Sequence, residues 1–366
     1  MVTDWLPEPG TPIDELDTPC IVIDLDAAEE NIRRMQGYCD DHGIALRPHT
    51  KTNKSPYWAW KQVRAGATGI CCAKVGEAEA MAAAGLPEIM VPNQVVTRHK
   101  IKRLVSLAKV TTVIVAVDSE RNVADLSEAA TAFGAELGVI IEVNVGMDRC
   151  GVEAEEAPAL ARAIAKAPGL RFDGLMGYEG HTVAARDFEE RKTEALRAMS
   201  KLTAAAGAVR KAGVPVNIVS AAGTGTYNIT GEVDGITEIQ PGSYIFMDGD
   251  YLEVFDDFQP AMSVLTTVIS RAGADRAVID CGLKSVSIDR GLPYAVAIEG
   301  VEVLRPSEEH TKLRVAGDAA QLRVGDRVSL RVMHGDTTIN LHDYYFGTRD
   351  GRLEAVIPIV GRGRFR

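Results

Sequence analysis

Between residues 44 and 245, short apolar runs rich in β-branched residues alternate with amphipathic helical stretches. We read the runs as strands at Ala45–Pro48, Gly69–Ala73, Ile89–Pro92, Val113–Val117, Val139–Val143, Phe172–Tyr178, Asn217–Ala221 and Glu238–Gly242. The helical stretches fall near Ser55–Arg64, Gly76–Ala84, Arg98–Ala108, Ser119–Phe133, Glu155–Ala167 and Phe188–Ala212. The strands are continuously apolar, not cleanly alternating, which marks a parallel sheet covered on both faces. Eight such units in about 200 residues suit an α/β fold of the closed (β/α)8 TIM type. No G-x-G-x-x-G follows the early strands, which disfavours an open dinucleotide-binding sheet.

After about residue 255 the pattern changes. Val264–Arg271, Arg276–Asp280, Tyr294–Val303, Lys312–Ala316, Arg327–Val332 and Leu353–Ile359 alternate or run β-branched, with turn signals between them. That pattern predicts a second, mostly antiparallel β domain. The early run Cys20–Leu25 is surplus to the barrel and is expected to join it. The expected division is a barrel over 27–250 and a β domain built from 1–26 and 251–366.

With 366 residues, 46% of them hydrophobic, the chain can bury a full core. The net charge of −11 argues against a nucleic acid or an anionic membrane as partner, since either needs a basic face. No apolar run approaches the ~20 residues that cross a bilayer. Residues Met1 to Gly10 show neither a basic nor an apolar signal segment. The six cysteines (20, 39, 71, 72, 150, 281) have no framework spacing and fit reduced thiols in a cytoplasmic protein.

The chemically equipped residues fall just after the strands, on the rim where barrels keep their active sites. Lys51 lies in Arg47-Pro48-His49-Thr50-Lys51-Thr52-Asn53-Lys54, between the first strand and its helix. A partly desolvated amine there, beside a histidine and a second lysine, would have a lowered pKa and could form a Schiff base. A lone loop lysine is usually a surface residue; its company on the rim argues otherwise. After the seventh strand comes Ser220-Ala221-Ala222-Gly223-Thr224-Gly225-Thr226, and after the eighth Pro241-Gly242-Ser243-Tyr244. Small residues with hydroxyls and free N–H groups can cradle a phosphate there, although a plain turn is the commoner use of such a stretch. Lysine plus phosphate cradle, without a Walker loop, suggests pyridoxal 5'-phosphate. Arg149, on a Gly-flanked loop, could bond the cofactor ring; a solvent-facing arginine is the alternative. Ser220, Gly223, Thr224, Gly242, Ser243 and Tyr244 join Lys51, Arg149 and Tyr178 as candidate cofactor contacts.

A second constellation is Met333-His334-Gly335-Asp336. In an extended segment positions i and i+2 share a face, so His334 and Asp336 could chelate one divalent ion. Mn2+, Mg2+, Fe2+, Co2+ and Zn2+ all suit an imidazole with a carboxylate. Taken alone, H-x-D is a weak signal, and a turn histidine capped by a nearby aspartate is its commoner explanation. Glu309-His310 and His342-Asp343 are polar pairs with no assigned ligand role.

Together these residues resemble the D-threonine aldolase and D-serine dehydratase family, fold-type III pyridoxal-phosphate enzymes with an alanine-racemase-like barrel. The resemblance runs from Leu16-Asp17-Thr18-Pro19 through Arg47-Pro48-His49-Thr50-Lys51-Thr52, Gly146-Met147-Asp148-Arg149-Cys150-Gly151, Gly177-Tyr178-Glu179-Gly180-His181 and Pro241-Gly242-Ser243-Tyr244 to His334-Gly335-Asp336. It implies that Lys51 carries the cofactor, that His334 and Asp336 hold a catalytic metal, and that the chain works as a homodimer. Two positions depart from the family pattern: Asn53 stands where a histidine is common, and Ala222-Gly223 where a Gly-Gly pair is common. Dehydratase-like members tend to carry cysteine at the second metal position, aldolase-like members aspartate. Asp336 thus points to an aldolase with a harder site, Mn2+ or Mg2+ before Zn2+. The implied reaction is cleavage of a D-configured β-hydroxy-α-amino acid, of the D-threonine or D-3-hydroxyaspartate type, to glycine and an aldehyde. His181, or a metal hydroxide, is the candidate base for the hydroxyl proton. The alternative is a D-serine or D-3-hydroxyaspartate dehydratase. A racemase would need a second rim base and no metal, and a cofactor-carrier protein would lack residues 255–366.

Overall fold

The structure, a computed structural model, describes residues 6–366. Residues 1–5 of the expected β-domain segment 1–26 lie outside the described residues. Strand β1 (Cys20–Asp24) comes first, followed by a helix over Leu25–His42 that the sequence reading did not anticipate. Then come β2 (Ala45–Leu46), β3 (Ile70–Cys71), β4 (Glu88–Gln94), β5 (Thr112–Val117), β6 (Leu137–Glu142), β7 (Leu170–Met176), β8 (Ile218–Ala221) and β9 (Glu238–Ile239). These form one eight-stranded parallel sheet in the order β2-β9-β8-β7-β6-β5-β4-β3. The two ends meet: Cys71 N–H donates to Pro48 O and Thr50 N–H to Cys71 O, both at 2.8 Å. A parallel bridge between His49 and Cys71 marks that junction. The sheet is therefore a closed barrel, with one strand for each expected run.

Continuous apolar runs are needed because each strand is covered on both sides. All six residues of β6 are buried. Cys71, Met90, Ile114, Ala116, Ile140 and Met176 interlock inside, with Ile218 packed against them. Each large side chain removed from water this way contributes roughly 1.5–3 kcal/mol.

The interior also holds charge. Arg47, 2% exposed, sits just beyond β2. Its Nε donates to Glu238 at 2.8 Å and its Nη2 lies 2.7 Å from Glu88. Glu238 also accepts from the Ser220 hydroxyl at 2.7 Å, which in turn accepts from Gln240 Nε2 at 2.8 Å. Gly69 leaves room for this, because a Cβ there would sit 2.5 Å from Arg47 Nη1.

The remaining strands are β10 (Met262–Arg271), β11 (Arg276–Ile279), β12 (Tyr294–Val296), β13 (Val301–Val303), β14 (Thr311–Val315), β15 (Arg327–Arg331), β16 (Tyr344–Arg349) and β17 (Arg352–Pro358). With β1 they make a nine-stranded sheet in the order β13-β14-β11-β10-β1-β16-β17, with β15 pairing β10 and β12. Every pairing is antiparallel except β1 with β16. The expected strand Tyr294–Val303 is two strands, broken at Ala297, which takes φ 61°, and at Gly300, where a Cβ would meet Ala316 O at 2.0 Å. Strand β16 was missed by the sequence reading.

The chain forms two compact units. One holds the described chain up to Ile32, Thr52–Ser55 and Ser243–Arg362; the other holds Arg33–Lys51, Pro56–Gly242 and Gly363–Arg366. The four residues after Lys51 thus belong to the β unit: Tyr345 OH donates to Asn53 O at 2.5 Å, Ser55 Oγ to Pro358 O at 2.8 Å, and Gly361 N–H to Lys54 O at 2.8 Å. Among the described residues no helix is long and apolar enough to cross a membrane.

Removing one member of a buried ion pair strands the other. Arg47→Met is expected to destabilise the barrel by about 3–5 kcal/mol, and Arg47→Met with Glu238→Gln by clearly less. Urea unfolding midpoints of the two variants measure the difference.

Candidate active site

In the barrel unit the rim residues gather on one ring. Lys51, half-buried, follows the strand junction, its backbone N–H 3.3 Å from His49 Nδ1. Its Nζ lies 6.0 Å from the centroid of the Tyr178 ring, and the Arg149 guanidinium lies 5.8 Å from the same centroid. Gly223 packs on the ring so closely that a Cβ there would fall 3.0 Å from Tyr178 Cε2. Gly180 is tighter still, with a Cβ placed 2.3 Å from Cε1. Lys51, Arg149, Tyr178 and Gly223 are thus brought together from four different βα loops.

Arg149 is aimed by its loop. Asn144 Oδ1 accepts the N–H groups of Gly146 and Asp148 at 3.1 and 3.2 Å, and Asp148 takes a left-handed φ of 53°. Glu142, at the end of β6, lies 3.7 Å from Arg149 and accepts from Gln94 at 2.5 Å. Burial pushes the Glu142 carboxyl upward, and the bonds from Gln94 and Arg149 oppose that.

The glycine-rich stretch after β8 is held from beneath by Glu179, which is 0% exposed. Its carboxylate accepts from Thr230 Oγ1 at 2.5 Å, Thr226 Oγ1 at 2.7 Å and Ala222 N–H at 3.2 Å. Burial raises its pKa, and these donors pull the other way. The clamp holds Ala222 at φ 62°, a left-handed conformation that costs a side-chain-bearing residue about 1–2 kcal/mol. Glu179 sits in the Gly177-Tyr178-Glu179-Gly180-His181 motif, and nothing local in the sequence shows that it turns inward.

The other candidates have the following places. Ser220 spends its hydroxyl on Glu238 and Gln240. Thr224 is 1% exposed in the clamped loop. Gly242 ends the barrel unit, while Ser243 and Tyr244 open a turn of 3-10 helix in the β unit, the Tyr244 ring tilted against that of Phe258 with centroids 5.6 Å apart. His181 is exposed on the 3-10 turn Gly180–Ala184, beside Gly146, where a Cβ would lie 3.4 Å from its Nε2.

The metal candidates lie in the β unit, and their backbone differs from the expectation. His334 is extended, at φ −138° and ψ 108°, but Gly335–Ile339 is a short helix, so Asp336 is not on an extended strand. Two capping interactions turn the chain. Asp248 Oδ2 accepts Gly335 N–H at 2.8 Å, and Thr338 Oγ1 donates to His334 O at 3.0 Å. Burial pushes the Asp248 carboxyl up to about 6; the backbone donors Gly335 and Tyr251 oppose this, and the Asp336 charge adds to it. His334 Nδ1 pairs with Asp289 Oδ2 at 2.6 Å. Burial would raise Asp289, yet bonds from Ser287, His334 and Thr337 outweigh it and bring it down to about 2. Tyr345 links this turn to the segment after Lys51: its hydroxyl bonds Asn53 O, and Asp336 is near enough to add to the effect of burial in raising the phenol.

Whether a cation and a polar cofactor suit these residues is a question of unmet donors and acceptors. Asp336 Oδ1, Thr52 Oγ1 and Asn53 Nδ2 are buried with no hydrogen-bond partner among the described residues. Buried polar atoms normally have partners, and a carboxylate oxygen left bare two residues along from a histidine suits a divalent ion. Among the described residues no cluster of three or more His, Cys, Asp or Glu could by itself enclose one, so solvent or substrate would complete the shell. The rim lysine, arginine and clamped loop suit an aldehyde-bearing phosphate ester.

Residues 23–250 match the alanine racemase N-terminal domain, and residues 261–348 a putative serine dehydratase domain. A 3-hydroxy-D-aspartate aldolase of Paracoccus denitrificans (strain Pd 1222) is 39% identical, covering 97% of this chain and 95% of its own. A D-threonine aldolase of an Arthrobacter species is 38% identical over the same shares, 97% and 95%. The crystal structure of D-threonine aldolase from Filomicrobium marinum superposes with a TM-score of 0.96 at 39% identity, covering 98% of this chain and 99% of that one.

Relief of the left-handed strain predicts that Ala222→Gly raises the unfolding midpoint, by up to about 1 kcal/mol. Glu179→Ala leaves two hydroxyls and an amide unpaired and is expected to cost about 1–3 kcal/mol. Thermal melts measure both, and titration with pyridoxal phosphate is expected to show weaker binding for Glu179→Ala alone.

Proposed function

The chain belongs to the D-threonine aldolase and D-serine dehydratase family, and we propose that within it this protein is a pyridoxal-phosphate- and divalent-metal-dependent aldolase. Its reaction is the cleavage of D-configured β-hydroxy-α-amino acids, of the D-threonine and D-3-hydroxyaspartate type, to glycine and an aldehyde. The observation that carries the reading is the convergence of Lys51, Arg149 and the Glu179-clamped loop on Tyr178, in a chain whose near-full-length relatives are named aldolases.

Lys51 would hold the cofactor aldehyde, the loop from Ala222 to Thr226 its phosphate, and Arg149 its ring. His334 and Asp336 would hold the metal. The cofactor supplies a sink for the electron pair released from the Cα–Cβ bond, and the metal supplies Lewis acidity. The chain's own groups do the rest. His181, exposed on the rim, is the candidate to take the β-hydroxyl proton. Lys51 Nζ, or a water, returns a proton to Cα, giving glycine. Asp336, rather than a thiolate, favours a hard ion such as Mn2+ over Zn2+. A homodimer is the state the family resemblance implies, and light scattering tests it.

Incubation with D-threonine and D-3-hydroxyaspartate is expected to yield glycine and the matching aldehyde; ammonia with a keto acid would instead mean a dehydratase. Lys51→Ala is expected to lose the visible absorbance of the bound cofactor together with activity. His334→Ala is expected to keep the absorbance and lose activity, as the wild type does in chelator until Mn2+ is restored. Full activity of His334→Ala in chelator would remove the metal from the mechanism.

A further inference from the structure

We propose that Asp289 is the positioning residue of the metal site: it fixes the His334 imidazole through Nδ1 and so reserves Nε2 for a divalent cation. The inference rests on the reading of His334 and Asp336 as the metal pair, and concerns a residue that reading does not use. Asp289 lies far away in sequence, on the segment between β11 and β12, and reaches His334 with Oδ2 at 2.6 Å. A carboxylate can only accept, so Nδ1 carries a hydrogen, and in the neutral ring that leaves the lone pair on Nε2.

The carboxylate is itself held in place. Its other oxygen, Oδ1, accepts from Ser287 Oγ at 2.6 Å and from Thr337 Oγ1 at 2.9 Å. Thr337 belongs to the same turn as His334, and Ser287 N–H bonds Thr338 Oγ1 at 3.1 Å, which donates onward to His334 O at 3.0 Å. The two segments are therefore laced together on both sides of the imidazole. No such lacing is needed to hold a surface histidine, whose side chain would gain little from it. The pattern is that of a carboxylate–histidine–metal relay, in which the outer carboxylate orients the ring and raises its basicity.

The test uses the cofactor-loaded protein, stripped of metal and titrated with Mn2+ by calorimetry. Asp289→Ala is expected to weaken Mn2+ binding about 10–100-fold, Asp289→Asn less, with pyridoxal phosphate retained in both. In the metal-free wild type, nitrogen-15 spectra of the histidines are expected to show His334 with its proton on Nδ1, shifting toward Nε2 in Asp289→Ala. If Asp289→Ala does not fold, Asp289→Asn with the same two readouts decides. Wild-type Mn2+ affinity in the variants, or a wild-type His334 protonated on Nε2, overturns the proposal while leaving the metal pair in place. A wild type that takes up no Mn2+ removes the metal reading itself, and the role of Asp289 with it.

Discussion

The barrel closes where Cys71 hydrogen-bonds on both sides to Pro48 and Thr50, and everything chemical about the rim is set by that junction. Parallel strands offer slanted, evenly spaced bonds and no edge once the ring is shut. Because the last of those bonds is made at Thr50, the next residue, Lys51, is the first one released from the ladder. It is still anchored on one side by the sheet, and its amine is delivered toward Tyr178. Below the junction the Arg47–Glu238 pair occupies the interior, an expensive arrangement energetically unless every charge is met. Glu88, Ser220 and Gln240 meet most of it.

Much of this was legible in the sequence because the barrel is periodic. Each strand is a short apolar run and each loop carries its polar cargo at the same phase, so Lys51, Arg149, Tyr178 and Gly223 could be nominated from position alone. The β sheet was read less completely. Strand β16 escaped because Gly347 interrupts its apolar character, yet a Cβ there would press on Leu25 Cδ2 at 2.8 Å, so the sheet requires the gap. Glycine inside a strand usually records such a close approach.

What could not be read were partners distant in sequence. Asp248 and Asp289 reach the His334 turn from 87 and 45 residues away, and Glu179 reaches Thr230 across 51. Each is an acidic residue that looks like solvent-facing charge until the fold shows what it accepts from. The same omission led to an extended Asp336: helix initiation after His334 depends on Asp248 receiving the Gly335 amide, a contact invisible to any local pattern.

The assignment of Thr52–Ser55 to the β unit has a bearing on truncation. The polypeptide passes into that unit before the first barrel helix begins, returns, and leaves again at Ser243, with Gly363–Arg366 rejoining the barrel at its end. A chain cut after Gly242 would therefore leave Asn53, Lys54 and Ser55 without Tyr345, Gly361 and Pro358, the residues they bond.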